Sequence, residues 1–172
     1  QTGEEISNLS IRDREIMVWA LLEENTKNID TNNYINYFEK IDSNFKLAEI
    51  ILPGFVPISI NWSFFLNKAS SHFERNKSLK MLERALELAQ YGNAKYSNNE
   101  KILTMIGSIY GRTAFLKTGD EKIKLINIAI ENFEKAVSLG LIDPDTYYNL
   151  GLNYGKLFDL SSKTEIFIQK SA

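Results

Sequence analysis

The chain has 172 residues, 44% of them hydrophobic and 24% charged, and a net charge of -2 at pH 7. That apolar share is enough to offset the entropy of ordering a compact domain, which excludes a disordered chain. Lys and Arg are scattered among Asp and Glu, leaving no basic stripe for a phosphate backbone, so nucleic acid is not the expected partner; the absence of cysteine removes disulfide and thiolate chemistry.

Three prolines, at 53, 57 and 144, are the only ones in a chain whose apolar residues recur every three or four positions. That is the period of a helix, and eight helices are expected. The first covers about 10–24, with Ile16, Trp19 and Ala20 inward. The second covers about 30–51, where Tyr34, Tyr37, Phe38, Ile41, Phe45 and Ala48 form one face. Pro53, Gly54 and Pro57 then force a break. Helix three starts near Pro57, a residue suited to a first turn, and turns Ile58, Trp62, Phe65, Ala69 and Phe73 inward. Helix four opens at Asn76 or Lys77 and buries Leu79, Leu82, Ala85, Leu86 and Ala89.

Ser97, Asn98, Asn99 and Glu100 fit a capping box for helix five, which Gly119 ends in a left-handed conformation. Asp120 caps helix six, which runs to about Leu139, and Asp143 with Pro144 starts helix seven. A second capping box, Ser162 to Glu165, opens helix eight. No strand alternation occurs over a useful length, and no apolar stretch approaches the roughly 20 residues of a membrane span. Long helices joined by short loops pack antiparallel. The expected fold class is therefore all-α, with stacked antiparallel helical hairpins forming one domain over 1–172. Residues 1–56 make a divergent N-terminal hairpin and apolar loop, and 57–172 the repeat-like hairpins.

Two segments share a pattern. Tyr147, Leu150, Gly151 and Tyr154 repeat the spacing of Leu103, Ile106, Gly107 and Tyr110. Between them stand Ala129, Phe133 and Ala136, with an earlier counterpart in Ser78, Leu82 and Ala85. Small residues let helix axes approach, and the large residues Tyr110, Tyr154 and Phe133 fill the space between hairpins. The pattern resembles the two helices of the tetratricopeptide repeat family. The resemblance covers 78–172, reaches 57–77 only as a partner helix, and does not extend to 1–52. Gly107 and Gly151 are 44 residues apart, against a family unit of about 34, which marks a divergent member with long helices.

The resemblance implies a non-enzymatic scaffold that binds a peptide or protein segment on a concave face. It places Lys101, Thr104, Ser108, Arg112, Tyr148 and Leu152 on that face. Asn149 matches one position of the clamp with which a subset of the family grips a terminal carboxylate. Thr104, Met105 and Ser108 stand where the clamp needs Asn and Lys or Arg, so the clamp is incomplete.

His72 is the only histidine and has neither cysteine nor a carboxylate one helical turn away, so no metal site, catalytic group or cofactor is expected from it. Glu83, Glu87, Glu131 and Glu134 lie beside Lys or Arg and read as solvated helix faces. Gly107 and Gly111 lie inside a helix, with no strand before them to make a phosphate loop. The apolar residues Phe55, Val56, Trp62 and Phe65 raise a second reading. It is a cell-envelope, lipoprotein-like protein that holds a small apolar ligand or assists a transporter. The polar opening from Gln1 to Glu5 is the start expected of an exported, periplasmic chain freed of its leader, with a cytoplasmic location as the alternative.

Overall fold

A computed structural model describes residue 6 and residues 8–29 and 34–171. Among these residues the fold is all-α, with seven α-helices and no strand. They are α1 (Ile11–Ile29), α2 (Tyr34–Ile51), α3 (Val56–Ala69), α4 (Arg75–Lys95), α5 (Glu100–Phe115), α6 (Gly119–Ser138) and α7 (Pro144–Ser171). A 3-10 turn, Ser70–His72, joins α3 to α4. No helix of the described residues is long and apolar enough to cross a membrane. The chain forms two compact units, one ending at Lys95 and the other beginning at Tyr96.

Side-chain caps explain most helix starts. Ser10 Oγ accepts from the Asp13 amide at 3.1 Å and donates to Asp13 Oδ2 at 2.6 Å. Glu74 accepts from the amides of Asn76 (2.9 Å) and Lys77 (2.8 Å), so α4 begins one or two residues before the expected Asn76 or Lys77. Asn99, not Ser97, caps α5, accepting at 3.1 Å from the amides of Lys101 and Ile102. Asn98 takes φ of 61°, which turns the chain into that cap. Asp143 caps α7 as expected, bonding the Thr146 amide and hydroxyl at 2.9 and 2.7 Å. Pro57 lies in the first turn of α3, where its missing N–H costs nothing.

Three further expectations change. Gly119 is left-handed at φ 61° but opens α6 behind Thr118, because α5 has already ended at Leu116; Asp120 lies within the first turn of α6 and is not its cap. The capping box at Ser162 starts no eighth helix: α7 continues to Ser171, with no proline or glycine after Gly155 to stop it. The side chains of that box lie outside the described residues. The face of α1 is also turned. Val18, Leu22 and Asn25 are buried, whereas Ile16 and Trp19 are more than half exposed and Ala20 is exposed.

In the first unit the core is aromatic. Phe38 stacks on Phe65 at 5.4 Å and meets Phe73 edge-on at 5.0 Å; Phe45 stacks on Trp62 at 5.8 Å. Ile41, Ala48, Ile58 and Ala85 close the gaps. Tyr37 is half-exposed beside that face, and the Tyr34 side chain lies outside the described residues. Polar bonds fix the packing: Trp62 Nε1 donates to Asp42 Oδ1 at 2.9 Å, and Ser63 Oγ donates to the Ala85 carbonyl at 2.7 Å. The second unit is packed with aliphatic and small residues around one buried ring, Phe133. Ala114, Ile126 and Ile130 are buried together, with Leu125, Leu150, Leu157 and Leu160 against them.

Candidate functional site

The geometry of the second unit follows from its glycines. A methyl group at Gly107 would lie 3.0 Å from the Phe133 ring and 3.1 Å from the Ala129 carbonyl oxygen. Only hydrogen leaves room for α6 to seat Phe133 against α5, and Ala129, Phe133 and Ala136 are all fully buried there. One turn along, Gly111 faces α7: a methyl group there would come within 3.2 Å of Asn153 Oδ1. Thr104 approaches Thr146 of α7 at 3.3 Å between hydroxyl oxygens. Helix α5 is thus contacted on its Gly107 side by α6 and on its Gly111 side by α7.

The same surface recurs on α7 without its cover. Leu103, Ile106, Gly107, Tyr110, Gly111 and Arg112 stand 44 residues before Tyr147, Leu150, Gly151, Tyr154, Gly155 and Lys156. Yet among the described residues nothing lies within 4 Å of a methyl group built at Gly151 or Gly155. Tyr147, Tyr148, Gly151, Leu152, Gly155 and Lys156 line an open groove of about 450 Å³. Tyr148 is 66% exposed and Phe158, further along α7, 71%. Tyr154, expected to fill space between hairpins, is instead half-exposed and donates its hydroxyl to Glu134 of α6, which raises its pKa. Burial and the neighbouring Lys122 push the Lys156 ammonium below the usual lysine range.

The expected groove residues fall into two groups. On α5, Lys101 is exposed and Thr104, Ser108 and Arg112 are half-buried on one side of the helix, the side that meets α7 at Thr104. On α7, Tyr148 and Leu152 line the open groove, while Asn149 is half-buried and donates Nδ2 to the Asp145 carbonyl at 2.8 Å. Sequence reasoning missed Gly155 and Lys156, although the 44-residue offset reaches both once it is followed past Tyr154. It also missed Asn153, whose place opposite Gly111 depends on how α5 and α7 cross.

The apolar set in the first unit divides differently. Trp62 and Phe65 lie in the core, Trp62 beneath the Arg84 guanidinium at 5.2 Å. Phe55 and Val56 are half-buried, and Phe55 meets the half-exposed Trp19 edge-on at 5.9 Å. Their loop is held at Gly54, whose carbonyl accepts from Tyr91 Oη at 2.9 Å and whose amide donates to Glu49 at 3.1 Å. The φ of 73° at Gly54 is one that a side chain would strain. His72 is exposed in the 3-10 turn.

No family model matches the chain, and no curated protein matches it.

Proposed function

We propose that the chain is a non-enzymatic, tetratricopeptide-like helical-repeat scaffold that binds a peptide or protein segment, its hairpins stacked as in an α-solenoid. The observation that carries this reading is the seating of Phe133 and Ala129 on Gly107, a close approach between two helices made by the residue types the repeat pattern implies. The open, aromatic groove on α7 supports it, since exposed apolar area of this kind is where partners dock. The binding residues in this reading are Lys101, Thr104, Ser108 and Arg112 on α5 and Tyr148, Asn149 and Leu152 on α7. The alternative of a small apolar ligand near Trp62 and Phe65 is less favoured, because both rings pack against Phe45 and Phe38.

An affinity pull-down tests the scaffold reading, using the wild-type chain beside Lys101→Glu and Arg112→Glu. A partner retained by the wild type and lost by both variants, with far-UV circular dichroism unchanged, is the expected result. Equal recovery by all three would count against the α5 face.

A further inference from the structure

We propose that the Gly151–Gly155 face of α7 is a docking site for an amphipathic helix of a partner protein, one that offers a small residue followed four positions later by a phenylalanine, with a carboxylate toward Lys156. The inference deepens the scaffold reading by naming the surface and the chemistry of what fills it. Its first support is the internal comparison between α5 and α7. Six positions recur at an offset of 44 residues, including both glycines and a cation. On α5 the first glycine is covered by Ala129 and Phe133, a small and a large residue four apart on one helix. On α7 the corresponding glycine has no cover among the described residues, and the groove around it is bordered by Tyr147, Tyr148 and Leu152.

Charge gives the second support. Lys156 is half-buried at the edge of the groove, with Lys122 of α6 close enough to disfavour its charge. A half-buried cation at the groove edge attracts a carboxylate on the incoming helix, and a partly desolvated pair is screened less by salt than a surface one. Asp159, a turn further along α7, also lines the groove, so its lining is cationic only at Lys156. Such a surface therefore favours one orientation of the helix that docks.

The chain's own α6 sequence provides the probe. A fluorescein-labelled peptide of residues 119–138 is titrated with the full chain and followed by anisotropy, beside a version carrying Lys122→Glu and Lys124→Glu. The expected result is saturable binding, at least threefold tighter for the acidic version. Phe133→Ala in the peptide weakens it at least tenfold. So does Gly151→Leu in the protein, a substitution that fills open space and leaves the far-UV spectrum unchanged. Lys156→Glu removes the preference for the acidic peptide and Lys156→Arg keeps it.

Binding insensitive to Gly151→Leu would place the peptide elsewhere, for instance in exchange with α6 on α5, and overturns the proposal. No binding at millimolar peptide overturns it as well. A chain that sediments as a dimer and becomes monomeric with Gly151→Leu would make a second copy the occupant, and that too overturns it. Failure here leaves the α5 face standing, because Lys101→Glu and Arg112→Glu do not touch Gly151.

Discussion

The two units solve helix packing in opposite ways. In the first, large rings interlock between helices: Phe38, Phe45, Trp62 and Phe65 stack and tilt at 5.4 to 5.8 Å. Hydrogen bonds from Trp62 and Ser63 then fix how the helices sit. In the second, glycine removes the obstacle and one ring, Phe133, enters the space. An aromatic core exhausts its own surface in making itself. The glycine face at Gly107 is covered by α6, and the corresponding one at Gly151 borders an open groove among the described residues.

The largest test of this contrast is truncation of the rings. Phe65→Ala and Phe133→Ala each remove a fully buried side chain and should destabilise their units by about 3–5 kcal/mol. Both tryptophans belong to the first unit, so the intrinsic fluorescence transition in urea reads Phe65→Ala, and far-UV circular dichroism reads Phe133→Ala. A loss below about 1 kcal/mol at either site would mean that the ring is not the keystone of its unit.

The glycines give a sharper test, because the same substitution should change sign. Gly107→Ala pushes a methyl group against Phe133 and the Ala129 carbonyl, and should cost about 1–3 kcal/mol. Gly151→Ala meets nothing among the described residues and should stabilise by about 0.5–1 kcal/mol through its better helix propensity. Thermal melts of the two variants decide it, and a shift of the same sign in both would break the comparison between α5 and α7.

On the polar side, Asp42→Ala leaves the buried Trp62 indole N–H without its acceptor. The expected loss is about 1–3 kcal/mol, smaller for Asp42→Asn, which keeps an acceptor oxygen. Smaller again is Asn99→Ala, which removes the cap of α5 at a cost of about 1 kcal/mol. Denaturant midpoints order these variants.

The smallest effect concerns acid. Glu74 and Asp143 accept hydrogen bonds at the starts of α4 and α7, which lowers the pKa of each carboxyl below its unfolded value. Their contribution is therefore fully present above the unfolded carboxylate range and is lost as the pH falls through the lowered folded values. Glu74→Gln and Asp143→Asn should each flatten the acid limb of a stability profile followed between pH 6 and about pH 2, one cap in each unit.

Much of this molecule was legible in its residues. Spacing of three and four marked seven of the eight expected helices, because a helix buries a stripe and the stripe must recur with its turn; the eighth is a continuation of α7. Proline at 53, 57 and 144 and the polar residues beside the helices marked most of the ends, since a first turn has amides to satisfy. The glycine at 107 marked a close approach before any helix was placed, whereas the same reading of Gly151 meets nothing within 4 Å among the described residues.

What tertiary structure alone decided is which apolar stripe meets a neighbour. Ile16 and Trp19 have the same spacing as a core face, yet they are more than half exposed, because Val18, Leu22 and Asn25 are the buried residues and Asn25 bonds across to α2. Equally, nothing in the local sequence separates Gly107 from Gly151. One is closed by Phe133 and the other is open among the described residues, for the reason that cover is a property of the helix opposite and not of the glycine itself.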